Sequence, residues 1–275
     1  MRYGYGRRLL RYGMFAACIC AASTSPVAAS PFEVPALTKP ANSEHHAGKI
    51  IWWDLRTTDL TRAKEFYGGL FGWEFRDYHA AGTDYAVAMY GGRAIAGLVQ
   101  RPISEGEQRR SAWLPFISVR DVDETVRNAL LHHAQIRAAP ANLPLRGRQA
   151  LLTDPEGVRF VLEASSSGDP PDAVAAPGTW QWAALFERDP GDAAVFYQQV
   201  FGYDVLALPA DGRFERVQLF SEGHTRVVVD ALQAADAPKI YPQWVSFVRV
   251  ADAADGTAKS LKLGGLILAW ISTAR

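Results

Sequence analysis

The sequence predicts an α+β protein assembled from tandem βαβββ modules. A helix phrase occurs twice: Ala63-Lys64-Glu65-Phe66-Tyr67-Gly68-Gly69-Leu70-Phe71-Gly72-Trp73 returns as Ala193-Ala194-Val195-Phe196-Tyr197-Gln198-Gln199-Val200-Phe201-Gly202-Tyr203. Each copy follows an apolar run, residues 52–59 and 182–189, that aligns with its counterpart without a gap. Each is then followed by runs divided by glycine turn signals: Gly82 and Gly91-Gly92 in the first half, Gly212 and Gly223 in the second. Self-similarity at this scale marks repeated supersecondary units, and short runs cut by glycine read as strands.

The elements follow in order. Residues 50–56 form a first strand. Asp59, or Asp189 followed by Pro190, opens a helix, because an aspartate there accepts from the free amides of the first turn. Ala63, Phe66, Tyr67 and Leu70 recur at helical spacing, and Gly72 or Gly202 ends the helix in the left-handed conformation. Strands come next. A weaker echo, residues 113–121 against 244–252, sets two such units in each half. Ser165-Ser166-Ser167-Gly168-Asp169-Pro170-Pro171 between the halves has the chemistry of a linker. After residue 265 the fourth unit lacks the two strands and the turn that would match Asp154-Pro155-Glu156-Gly157. An unpaired edge near residues 266–271 is therefore expected, with a second half that is looser than residues 49–164 and open to self-association.

With Phe66-Tyr67-Gly68-Gly69-Leu70-Phe71-Gly72-Trp73 and Asp154-Pro155-Glu156-Gly157, residues 49–275 resemble the glyoxalase/bleomycin resistance/extradiol dioxygenase superfamily, the vicinal oxygen chelate (VOC) proteins. The resemblance implies a glyoxalase-like fold of two VOC domains, 49–165 and 179–275, the second truncated at its C-terminal end, with 166–178 as the linker. It also implies that paired modules enclose one pocket. Many members hold a divalent metal there with His or Gln near strand starts and a Glu in a module's last strand. The matching positions here are Trp52, Leu114 and Val161 in the first half, and Trp182 and Val245 in the second. None offers a lone pair for a hard or borderline metal, so no metal and no other cofactor is expected. Glu163 is the one carboxylate near the expected place. His45, His46, His79, His132, His133 and His224 read as surface residues.

Strand alternation puts Trp52, Asp54 and Arg56 on one face of the first strand and Trp53 and Leu55 on the other. The superfamily's ligand position faces the pocket, so Trp52, Asp54 and Arg56 should line it, with Trp182, Ala184 and Phe186 in the second half. Aromatic walls with a few polar groups suit a small organic ligand. The alternative is that Trp52 and Trp182 fill space that needs no metal, with Asp54 and Arg56 paired to each other. Trp53, Phe66, Tyr67, Phe196 and Tyr197 are expected in the core.

Other chemistries lack their signatures. Lys plus Arg equals Asp plus Glu at 29 each, which argues against a nucleic-acid partner. The two cysteines, Cys18 and Cys20, leave none for a disulfide or a thiol nucleophile in the folded part. Gly-x-Ser-x-Gly, the P-loop and His-Glu-x-x-His are absent.

The N-terminus reads as an export signal. Arg2, Arg7, Arg8 and Arg11 precede an apolar run, residues 14–22, and then Pro26-Val27-Ala28-Ala29. Cleavage after Ala29 is one outcome. Phe15-Ala16-Ala17-Cys18 also resembles a lipoprotein processing box, with Cys18 as the lipidated residue and a membrane anchor. Arg7-Arg8 further resembles a twin-arginine signal. Residues 1–29 are thus a signal peptide and 30–48 a proline-dotted linker, with the protein in the periplasm or anchored as a lipoprotein. The leading function is an exported, metal-independent small-molecule binding module. The alternatives are a metal-dependent lyase or dioxygenase with atypical ligands, and a structural or assembly protein.

Overall fold

The computed structural model describes residues 34–80, 83–102, 111–208, 216–232 and 241–266. The signal sequence with Cys18, and all but the first residue of the expected edge at 266–271, lie outside the described residues. The first unit runs β1 (Ile50–Thr57), α1 (Leu60–Phe71), β2 (Glu74–Ala80), β3 (Thr83–Tyr90) and β4 (Arg93–Gln100). The second is β5 (Ala112–Ser118), α2 (Val122–Leu131), β6 (Gln135–Leu143), β7 (Gly147–Thr153) and β8 (Arg159–Ser165). The third is β9 (Trp180–Glu187), α3 (Pro190–Phe201), β10 (Asp204–Leu208), β11 (Arg216–Ser221) and β12 (His224–Ala231). Of the fourth, β13 (Gln243–Val248) and α4 (Ala253–Lys262) are described. The order is βαβββ three times over.

Each helix starts on an aspartate. Asp59, Asp121, Asp189 and Asp252 accept from the backbone N–H three residues on, at 2.9 Å in every case. α1 and α3 end on Gly72 and Gly202, both left-handed with φ near 70° (72° and 71°), where a side chain would be strained.

The first two units share one eight-stranded sheet, ordered β2-β3-β4-β1-β5-β8-β7-β6. β1 and β5 pair antiparallel at its centre, setting Trp52 beside Phe116 and Asp54 beside Leu114. β5 runs parallel to β8, which brings Phe116 beside Val161 and Ser118 beside Glu163. The third unit and β13 form a five-stranded sheet, β10-β11-β12-β9-β13.

The two faces of the large sheet differ. One carries Leu55, Ala86, Leu98, Ile117, Leu152 and Phe160 against helices. The other carries Trp52, Tyr85, Val87, Leu114, Phe116 and Val161 in an apolar cluster with no helix in it. Trp53, Phe196 and Tyr197 are buried in the core as expected, while Phe66 and Tyr67 are half-buried.

Two features of the packing go beyond what the sequence pattern shows. First, the stretches with linker composition are knitted together. Val34 and Leu37 pack in the helix-free cluster. Asn42 N donates to Ser167 O at 2.9 Å, His46 N to the Asp169 carboxylate at 2.7 Å, and Asp169 N to Glu44 O at 2.9 Å. Asp169 is fully buried and also accepts from the Ser118 hydroxyl. Proline and serine remove periodicity from a sequence; they do not remove partners. Second, the halves are not separate cores. The largest cluster joins Leu152, Phe160 and Leu162 of the first sheet to Leu185, Leu219 and Val229 of the second, with α2 and α3 contributing Val126 and Tyr197.

Candidate functional site

β1 positions the centre of the candidate site. Alternation places Trp52 and Asp54 on the helix-free face, and Trp52 Nε1 donates to Asp54 Oδ1 at 2.8 Å. The Tyr85 hydroxyl of β3 donates to the same oxygen at 2.8 Å. Burial pushes the Asp54 carboxyl above its usual value, against the opposing pull of Arg146 and of these two donors. The close approach depends on Gly97, Asp54's neighbour on β4. A Cβ there would come within 1.8 Å of the Tyr85 hydroxyl and 2.1 Å of Asp54 Oδ1.

Glu163 approaches the same face from β8. It is fully buried and held at both oxygens by Arg146, whose Nε lies 3.0 Å and Nη2 3.1 Å away. Arg146 comes from the turn between β6 and β7, where Leu145 and Gly147 both have positive φ. Its guanidinium carbon stands 4.5 Å from the Trp52 ring centre and 5.6 Å from that of Phe116. Burial works against the guanidinium's charge, but Glu163 outweighs it and the pKa is raised. Burial also raises the Glu163 carboxyl, against the pull of Arg146. Arg146 Nη1 is buried and has no hydrogen-bond partner among the described residues.

Of the residues anticipated from sequence, Trp52, Asp54 and Glu163 therefore meet around one feature, and Arg56 stands half-buried on the same strand. Trp182 and Phe186 belong to the other sheet. Trp182 is 39% exposed and stacks on Phe247 with ring centres 4.3 Å apart; Phe186 is half-buried. Nearby, Asp230 is taken by Arg216 at 2.5 Å. Tyr85 and Arg146 are not among the site residues expected from the sequence. Tyr85 is legible in it, since Tyr85, Val87 and Met89 alternate with Ala86 and Ala88. Arg146 is not, because Leu145-Arg146-Gly147-Arg148 looks like a solvated turn.

The Glyoxalase/Bleomycin resistance protein/Dioxygenase superfamily matches residues 45–162. Residues 45–162 are thus identified as a domain of this superfamily. A relative from Mycobacterium tuberculosis, named "Putative glyoxylase CFP32", is 29% identical over 233 residues, covering 84% of this chain and 88% of the relative. The anthracycline biosynthesis protein DauV of Streptomyces sp. strain C5 is 24% identical, covering 80% of this chain and 83% of its own. Among solved structures, the Mn(II)-bound glyoxalase of Novosphingobium aromaticivorans superposes with a TM-score of 0.56 at 18% identity, covering 80% of this chain and 72% of that one. A mutant 4-hydroxymandelate synthase of Streptomyces coelicolor gives 0.53 at 14% identity, with 80% and 76% covered. These two structural likenesses concern the fold.

The residues on the helix-free face do not fit a metal. Trp52, Leu114 and Val161 pack as apolar core. Of the two carboxylates on this face, Asp54 accepts from Trp52 and Tyr85 through Oδ1, and Glu163 has both oxygens committed to a guanidinium, whose charge would repel a second cation. Elsewhere, His46, Asp172 and Glu222 bring donor atoms within 4.8 Å of one another. That cluster is already neutralised: Asp172 takes Lys49 at 2.8 Å and Arg226 at 2.7 Å, and Glu222 takes Arg226 at 3.2 Å. It ties the segment before β1 to the segment after β8 and to the β11–β12 turn.

Proposed function

We propose that this glyoxalase-like protein binds a small organic molecule without a metal, on the helix-free face of its first sheet. The reading rests chiefly on the buried Arg146–Glu163 pair, which supplies a fixed cation beside the aromatic ring of Trp52 and commits both oxygens of the Glu163 carboxylate to a guanidinium. The donors at Asp54 and the apolar walls of Leu114, Phe116 and Val161 fit the usual chemistry of such pockets. The N-terminal pattern supports an exported protein, cleaved after Ala29 or lipidated at Cys18. Self-association through the second half is a further part of the proposal.

Metal analysis tests the central point. Purified protein should carry far less than one transition metal per chain, and a chelator should leave its melting temperature unchanged. A stoichiometric metal that disappears on changing Glu163→Gln would overturn the reading in favour of a metal-dependent lyase or dioxygenase. A mature N-terminus still beginning at Met1 in the cytosol would overturn the export reading.

A further inference from the structure

We propose that the ligand is a neutral, planar carbonyl compound bearing a hydroxyl, gripped by the free edge of Arg146 and by Asp54, and that residues 34–38 are a strap covering its site. The inference rests on the pocket reading above and narrows it to a ligand class and a means of access.

A guanidinium offers five N–H donors on two bidentate edges. Glu163 occupies the edge formed by Nε and Nη2. Nη1 remains, buried and without a partner among the described residues. A buried donor left unmade is costly, so an acceptor oxygen delivered to Nη1 is favoured. Trp52 and Phe116 lie beside the same guanidinium, so the ring that carries this oxygen has an aromatic surface to rest on.

Charge selects the class. Asp54 and Glu163 are the two carboxylates that act on Arg146. An anionic ligand would bring a third acidic group to one guanidinium, away from water. Arg56 is half-buried on β1, and Arg101, exposed just beyond β4, pulls on the Asp54 carboxyl more weakly than Arg146 does. A carbonyl oxygen accepts from Nη1 without adding charge, and a neighbouring hydroxyl can donate to the Asp54 carboxylate. Trp52 and Tyr85 hold that carboxylate in place through Oδ1.

Access is set by the strap. Val34 and Leu37 pack into the cluster of Trp52, Tyr85, Leu114, Phe116 and Val161, where a ligand's apolar part would lie. The strap has no strand ladder. It is fastened at Thr38, whose N–H donates to Ser167 Oγ at 3.2 Å and whose hydroxyl donates to Ser167 O. Beyond that point Asn42 is pinned to Ser167 and Asp169. Lifting residues 34–37 about Thr38 thus withdraws the Val34 and Leu37 side chains from the cluster and leaves the hydrogen bonds of Asn42 in place. A ligand competing with the strap binds with its intrinsic affinity reduced by the fraction of open molecules.

The test titrates the full chain with 2′-hydroxyacetophenone, which is neutral, and with salicylate, which carries a carboxylate on the same ring. Ligand-observed NMR and the thermal midpoint follow binding. The ketone should bind at least tenfold more tightly than salicylate. Leu37→Ser should tighten ketone binding several-fold, because it weakens the competitor and leaves the grip intact. The double variant Arg146→Gln/Glu163→Gln keeps a neutral hydrogen-bonding pair and should weaken ketone binding at least tenfold. Equal or tighter binding of salicylate, or no response to Leu37→Ser, overturns the proposal. So does failure of both probes to bind the wild type and Leu37→Ser. Ketone binding that survives the double variant but is lost in Trp52→Leu overturns this inference and leaves the pocket reading standing. A stoichiometric metal defeats that reading itself.

Discussion

Arg146 and Glu163 illustrate how much of a site can rest on one pair. Both are essentially inaccessible, so each is tolerable only because of the other. Arg146→Ala should cost about 3–5 kcal/mol, since it strands a buried carboxyl, whereas replacing both with apolar residues of similar volume should cost little. Urea unfolding of the single and double variants distinguishes these outcomes. Gly97→Ala should destabilise by about 1–3 kcal/mol, because the new methyl must displace the Tyr85 hydroxyl and Asp54. Trp52 and Asp54 are legible in the sequence at this scale, because a strand's two-residue period assigns faces from the order of residues alone. That Tyr85 meets Asp54, and that Arg146 is present there at all, are not. Tyr85 reaches Asp54 across two strand boundaries, and Arg146 arrives from a turn whose sequence is that of exposed surface.

At the scale of elements, local chemistry suffices for the helices. The duplicated phrase carries its own start and stop, Asp59 with Gly72 and Asp189 with Gly202, and the structure uses all four in those roles. Asp189→Ala should lower stability by about 1 kcal/mol in chemical denaturation, the usual worth of such a cap. α3 has a second fastening that its own sequence does not show. Glu156, in the Asp-Pro-Glu-Gly turn of the other half, accepts from Arg188 N at 3.2 Å and Asp189 N at 3.1 Å. The same turn's Asp154 accepts from the Tyr197 hydroxyl of α3 at 2.9 Å. A turn that sequence treats as punctuation between two strands is also a latch on the next helix. The stretches of linker composition show the converse, since their order comes from partners more than a hundred residues away.

The whole molecule couples its halves through that latch and through the shared core. Phe160 of the first half lies 6.1 Å from Phe196 and 5.8 Å from Tyr197 of the second, measured between ring centres. Truncating it, Phe160→Ala, should cost about 3–5 kcal/mol and shift one common unfolding transition. Two separate transitions in calorimetry, with the first half surviving, would contradict this. The buried Glu187 of the second half lies near Asp154 of the first. Burial, then the Asp154 charge, pushes the Glu187 carboxyl up to about 11, so it stays protonated in the folded state. In the unfolded chain it ionises near pH 4.3. The folded state therefore binds the extra proton above that pH. Its stabilising contribution is complete in acid and is lost as pH rises toward 11. The melting temperature should fall between pH 5 and pH 9, and Glu187→Gln should flatten that slope. An unchanged slope in the variant would assign the effect to other groups. Asp172 acts in the opposite sense and in a different window. Its carboxyl is burdened by partial burial yet held well below the usual range by Arg226 and Lys49, so its contribution fails only as pH drops below about 4.

By itself the sequence determined the module, its repetition, the helix boundaries and the face on which Trp52 and Asp54 lie, because caps, turn residues and strand alternation act within a few positions of one another. It also determined that the metal positions carry no donors, since that depends on residue type alone. The tertiary structure decided which charges meet beside Trp52, that Val34 and Leu37 pack into the helix-free cluster, and that the two halves share a core. Those contacts join residues far apart in the chain: Val34 shares a cluster with Trp52 and Tyr85, Arg146 meets Trp52, and Asp154 meets Tyr197. Burial is what gives these contacts their strength, and burial is a property of the packed fold that no local stretch of residues encodes.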